Sequence, residues 1–312
     1  MDEIAEYART RIEKGSKSFA AASRIFGPNT RASVHMLYCW CRHCDDEVDD
    51  QELGFASGQD PASTEERLRA LESKTRAAMA GEASEPEFIA LAHVMQRHQI
   101  PDILPLEHLA GFAMDAAGTR YRTLDDTLKY CWHVAGAVGV MMALVLGARD
   151  SRALERACDL GIAFQLTNLA RDVMDDAATG RVYLPEDWLA AENVRPEDIA
   201  AADNRDAVHR VTVRLLDEAD RYYASAGYGL AMLPIRAAIA IGAALSIYRE
   251  IGSLARRKGS RACDQRAIVG TTGKLLALLN GAGQAALSHT RAAVSAPPPR
   301  PDLYRPQILG DL

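Results

Sequence analysis

The sequence predicts an all-α protein, a single-domain helical bundle around a central cavity, and three observations carry that prediction. No segment sustains the apolar–polar alternation of strands over several successive elements. Long stretches instead repeat their apolar residues at helical spacing. Two acidic stretches gather their polar residues onto one side only if the backbone there is helical. Gly-rich dinucleotide loops and Walker-type loops do not occur in the sequence. With 48% of its 312 residues hydrophobic, the chain can fill one large core, and one domain over residues 1–296 is expected.

In chain order, Ile4, Ala8 and Ile12 give residues 2–14 an amphipathic helical pattern that Gly15 ends. Ser16, Lys17 and Ser18 follow as a loop of small donors with one cation. Pro28, Asn29 and Thr30 start a helix running to about Asp50. Residues 51–61 read as a surface loop, and Ser63 with Glu66 forms a capping box for the next helix. Helices are expected over 85–99 and 105–117, the second ending near Gly118. Thr123 and Asp126, again at capping-box spacing, open a long apolar helix.

Residues 130–148 of that helix carry no Asp, Glu, Lys or Arg, and their length approaches the roughly 20 residues of a membrane span. His133, three glycines and the flanking Lys129 and Arg149 favour a buried helix instead. Gly136, Gly139, Ala143 and Gly147 step by three, four and four, so one face is nearly bare. A further helix is expected over 151–176, and Gly180 to Pro185 forms a turn after it. Helices over 204–226 and 229–257 follow, with Pro234 at a break or kink, and a last helix spans 271–291. The basic cluster Arg256, Arg257, Lys258 and Arg261 serves a phosphate or solvates a helix end. Residues 297–312 form a Pro-rich tail, expected to be poorly ordered.

The chemistry concentrates in two stretches. Gln165, Asn168, Asp172 and Asp176 step by three, four and four; Tyr38, Arg42, Asp45 and Asp49 step by four, three and four. Each stretch thus presents a DxxxD pair on one helical face. Like charges at this spacing destabilise a helix by roughly 0.2 to 0.5 kcal/mol per pair, so something positive is expected between them. Oxygen ligands select hard cations, and Mg²⁺ commonly takes one or two carboxylates and leaves its other positions to water and phosphate. Facing DxxxD helices therefore make a diphosphate site.

Composition excludes other classes. A net charge of −6 argues against a nucleic-acid partner, which needs a clustered basic surface. Six cysteines behind an acidic start without an apolar leader imply reduced thiols in the cytoplasm. Cys39, Cys41 and Cys44 with His43 offer zinc-type ligands, yet no second CxxC exists and hard aspartates follow at once, so buried thiols are expected. A phosphohydrolase of the HD type needs several histidines beside acids, and only His43 qualifies.

The segments YCWCRHCDDEVDDQ from Tyr38 and FQLTNLARDVMDDAATGRVYLPEDW from Phe164 resemble the two aspartate-rich signatures of the squalene/phytoene synthase family of head-to-head prenyl transferases, its bacterial phytoene synthases in particular. GSKSF from Gly15, GFAMD from Gly111 and YCWHVAGAVG from Tyr130 extend the resemblance over most of the chain. Glu47 departs from it, standing where an apolar residue is expected.

The resemblance implies an isoprenoid-synthase-type fold and condensation of two geranylgeranyl diphosphates, through prephytoene diphosphate, to 15-cis-phytoene, the first committed step of carotenoid synthesis. It implies Mg²⁺, or Mn²⁺, on Asp45, Asp49, Asp172 and Asp176 with Asn168, assisted by Asp46 and Asp175; no nicotinamide is needed. Ser16, Lys17, Ser18 and Phe19 would lie against a diphosphate. Gln165, Arg171 and Arg181 would orient phosphate, and Arg42 would pair with phosphate or an acid. Tyr38 belongs to the first motif, Tyr183 would border the carbocation, and Tyr248 reads as a cavity or a core tyrosine. Asp115 is placed near the cavity or in solvent. Gly136 and Gly139 leave room for a prenyl tail or let another helix approach. A squalene- or dehydrosqualene-type synthase using C15 chains, and a non-catalytic scaffold of the same descent, are the alternatives. A cytoplasmic protein is expected, weakly peripheral at the inner face of the membrane and handing its product to a phytoene desaturase.

Overall fold

The computed structural model describes residues 2–48, 51–52, 55–56, 63–263, 269–292, 297–300 and 302–310. The structure is helical almost throughout, as the spacing of apolar residues predicts. Thirteen α-helices are described: α1 (Asp2–Gly15), α2 (Lys17–Ala22), α3 (Pro28–Val48), α4 (Thr64–Met79), α5 (Pro86–His98), α6 (Ile103–Ala116), α7 (Leu124–Cys131), α8 (Ala137–Val145), α9 (Ser151–Ala178), α10 (Glu186–Ala191), α11 (Arg205–Gly229), α12 (Ile235–Lys258) and α13 (Thr271–Ala292). Ser63 and Glu66 close the expected capping box on α4, and the Asp126 carboxylate accepts the backbone N–H of Thr123 at the start of α7. Gly118 and Gly180 take positive φ where helices α6 and α9 end, a conformation that glycine adopts without strain.

Four expectations are corrected. The loop at Ser16 is the start of α2, whose first turn Ser16 caps by accepting the N–H of Phe19 at 3.4 Å. Inside the stretch read as a surface loop, Gln51–Glu52 pairs antiparallel with Phe55–Ala56. The helix expected from Gly229 begins only at Ile235, because Pro234 has no N–H for a helical bond and sits as its N-cap after a 3₁₀ turn, Leu230–Met232. The Pro-rich tail is held against the body. Arg300 lays its guanidinium on the fully buried Asp159, with Nε 2.8 Å from Oδ2; Tyr304 donates its N–H to the Tyr222 hydroxyl at 2.9 Å; and Leu309 is buried.

Helix α9 is the axis of the bundle, in contact with α7, α8, α11 and α12, while α13 lies outside against α12. The apolar helix from 124 to 145 passes for a membrane span by length and composition, yet two thirds of it is buried inside the protein (67%). It is not regular. A π-helical turn, Trp132–Gly136, interrupts it, and Glu107 of α6 holds that turn by accepting from Trp132 Nε1 at 2.6 Å.

This turn brings α8 onto α9. A Cβ on Gly161 would stand 2.3 Å from the carbonyl oxygen of Ala135, and one on Gly139 would stand 2.5 Å from that of Ala157. A Cβ on Gly136 would meet the Trp132 ring at 2.8 Å. The bare face thus serves helix packing, and Gly139 also lines the cavity beside α9 while Gly136 does not, which corrects the assignment of Gly136 alone to prenyl-tail binding. Gly147 takes φ 96° and turns the chain toward α9. Gly139→Leu is therefore expected to overpack this contact by about 1 to 3 kcal/mol. At roughly 2–4 °C per kcal/mol, the melting temperature should fall by several degrees in a thermal scan; an unchanged Tm would exclude the packing role.

His108 sits in the core between Trp40 and Phe112, edge-on to both, and burial pushes its imidazole down to about 4. An unfolded histidine binds its proton near 6.5, so between these values the unfolded state carries the extra proton. Stability from this site is present above about pH 6.5 and is lost as pH falls toward 4, by about 3 kcal/mol. Denaturant unfolding at pH 7 and pH 4 should show a smaller acid loss in His108→Phe than in the wild type.

Candidate functional site

Around α9 the helices leave a cavity of about 630 Å³. Its wall is mostly aliphatic and small: Val138 and Met142 from α8, Ala157 and Leu160 from α9, and Ile241 and Ile247 from α12 line it. Polar groups cluster at one end, where Ser16, Tyr38, Gln165, Asn168 and Lys274 reach the cavity. Aromatic faces stand there too. Phe164 stacks on Tyr248 with centroids 4.1 Å apart, and Phe19 meets Tyr38 edge-on at 5.4 Å. Tyr248 is thus a cavity residue.

The acids flank this polar end. On α9, Asp172 pairs with its neighbour Arg171, Nε to Oδ1 at 2.7 Å, and Asp176 lies one turn further on. Burial, and then the charge of Asp172, push the Asp176 carboxyl up to about 7. The Oδ1 atom of Asn168 is buried without a hydrogen-bond partner, although its Nδ2 donates to Gln165 at 3.3 Å. On α3, Arg42 reaches Asp45 at 3.0 Å and Asp46 at 2.7 Å. Asp46 turns inward, buried beside Arg11, and Asp175 turns outward to solvent, so neither shares the face of Asp172 and Asp176. Asp49 and the side chains of Lys17 and Ser18 lie outside the described residues.

Among the described residues, no three acidic, histidine or cysteine side chains converge into a ready cage. The acids stand on two walls. A crowded, desolvated carboxylate and an orphaned amide oxygen on one polar face are oxygen donors of the kind that fit a hard cation. Cys39 and Cys44 are buried in the core of α3, the place expected of structural thiols.

Tyr183 and Arg181 border Asp176 but not the large cavity. Tyr183 donates to Asp115 Oδ1 at 2.8 Å while Tyr130 donates to Oδ2 at 2.9 Å, and the two rings stack at 4.7 Å. Asp115 is thereby the clamp that fixes the turn after α9 against α6 and α7. Two charged cavity residues escaped the sequence reading. Lys274 of α13 lines the polar end, and Arg156 lines the opposite one. Arg156 carried a legible signal, a charge on the otherwise apolar stripe Ala153, Leu160, Phe164 of α9.

A mostly aliphatic cavity with polar side chains at one end, enclosed by an all-α bundle, is the class of site this fold presents. Residues 12–272 match the squalene/phytoene synthase family, and the chain belongs to it. It is 53% identical to a 15-cis-phytoene synthase of Pantoea ananas over 92% of both chains. It is 32% identical to a 15-cis-phytoene synthase of Synechococcus elongatus over 89% of this chain and 92% of the relative. Among solved structures, a dehydrosqualene synthase superposes with a TM-score of 0.80 at 25% identity, covering 92% of this chain and 98% of the other.

Proposed function

We propose that this protein is a 15-cis-phytoene synthase that joins two geranylgeranyl diphosphates head to head, through prephytoene diphosphate, and releases diphosphate. The observation that carries the reading is the cavity that runs from the polar faces of α3 and α9 into an aliphatic interior. Its depth suits C20 chains. Asp172 and Arg156 are sixteen residues apart on α9, about 24 Å at 1.5 Å per residue. An extended C20 prenyl chain, at roughly 1.2 Å per bond, spans about 18 Å, and its diphosphate head takes up roughly the remaining 6 Å.

Asp45, Asp172, Asp176 and Asn168, with Asp49, would hold Mg²⁺ or Mn²⁺, which when bound neutralises the departing diphosphate. The side chains do the rest. Gln165 orients oxygens from the same face, Arg42 balances the α3 acids and presents a buried Nε without a partner, and Ser16 and Lys274 border the head group. Once the bond to diphosphate breaks, positive charge on carbon needs a dry, polarisable lining. The Phe164–Tyr248 stack and the Tyr38 ring supply it beside the polar end, and the aliphatic wall excludes water. The proposed reaction needs no nicotinamide. The greasy substrate and product, together with Leu275, Leu276 and Leu279 exposed on α13, support weak peripheral binding at the inner membrane face and handover to a phytoene desaturase.

Purified protein with Mg²⁺ and labelled C15 and C20 diphosphates should yield C40 hydrocarbon from the C20 substrate. Predominant C30 product would favour the dehydrosqualene-type reaction of the structural relative instead. Chelator should abolish turnover and added Mg²⁺ restore it; full activity in excess chelator would refute the metal assignment. Asp172→Asn and Asp45→Asn keep side-chain size while removing charge, so kcat should drop by at least about 100-fold with Tm nearly unchanged.

A further inference from the structure

The deep end of the tunnel is closed by a charged assembly that the reaction itself does not need. Leu146, Ala153, Arg156, Leu230 and Leu233 line it. Arg156 is 5% exposed, so its aliphatic stem faces the cavity while its guanidinium is turned into the protein. There it donates to the Ser225 hydroxyl and to the carbonyl oxygen of Pro298. Ser225 donates in turn to Asp159, which receives Arg300. Arg305 adds a pair with Glu155 at 2.9 Å. On the remaining side, Gly229 leaves no space, since a Cβ there would stand 2.7 Å from Cβ of Arg156.

We infer that Arg156 is the floor of the prenyl tunnel and that the C-terminal strap, residues 297–300 and 302–310, holds it in place, so that together they set the longest chain the enzyme accepts. This rests on the prenyl-transferase reading above and deepens it. A guanidinium tied on two sides cannot swing aside as an unpaired side chain would, so a chain longer than the tunnel meets a fixed wall. Residues that only line the walls, such as Leu160, carry no such tie. The alternative role, an anchor that merely stabilises the fold, would leave chain-length preference untouched.

The test compares kcat/KM for C20 and C25 prenyl diphosphates, read as diphosphate release and extracted hydrocarbon, in wild type, Arg156→Ala and Arg300→Met. Arg156→Ala removes the floor; Arg300→Met leaves Arg156 in place but releases the strap. The C25:C20 ratio should rise at least tenfold in the first and several-fold in the second. Both substrates are measured on one preparation, so a reduced folded fraction cancels from the ratio, and Arg300→Met decides if Arg156→Ala does not fold. A ratio within twofold of wild type in both variants would overturn the inference while wild-type turnover of C20 leaves the proposed activity standing. Absence of C20 turnover in the wild type would instead overturn both.

Discussion

At Gly161 the backbone of α9 lies against the π turn at Ala135 and Gly136 more closely than any side chain would permit. That approach fixes how α9 is rotated about its own axis. Gly161 must face α8, so the residues one to two turns on, Gln165 and Asn168, reach the cavity, and Asp172 and Asp176 continue the same helical face beyond it. A rotation of one residue, about 100°, would carry the acids into the core or out to solvent. The π turn makes the approach feasible, and Glu107 holds that turn from α6. Helix geometry far from the acids therefore governs where their charge is displayed.

The two ends of α9 handle buried charge in opposite ways. At the deep end every carboxylate has an internal partner: Asp159 meets Arg300 and Ser225, and Glu155 meets Arg305. At the mouth, Asp176 is desolvated beside other acids and Asn168 Oδ1 has no donor. Internal compensation stabilises one end. Incomplete compensation at the other holds a negative potential that a cation and its anionic ligand can satisfy.

Legibility in the sequence followed the range of the physics. Helices, caps and the two acidic faces depend on neighbours within a turn or two, so spacing alone revealed them, down to Ser63 with Glu66 and Asp172 with Asp176. The bare face of Gly136 and Gly139 was visible as a face, but periodicity says nothing about which helix will cover it. Gly161 on α9 supplied the answer. The strap was misread because Pro-rich composition indicates a lack of helix and strand, and that is a different matter from a lack of contacts. Its anchor, Arg300 on Asp159, joins residues 141 positions apart, beyond any local pattern. Arg156 escaped although its apolar stripe marked it, because a charged residue in a helix is usually solvated, and its tertiary partners are what show where its charge goes.

The strap also gives the protein a calendar. A ribosome producing some 5 to 20 residues each second delivers Arg300 several seconds after Asp159. During that interval the nascent chain carries a carboxylate destined for the interior and an arginine destined for the cavity wall, both without their final partners. Each is held toward water until the counter-charge arrives. The acidic mouth can be assembled early, whereas the closed end of the vessel is completed late in synthesis. A peptide fused close behind Arg300 would crowd that last closure rather than the mouth.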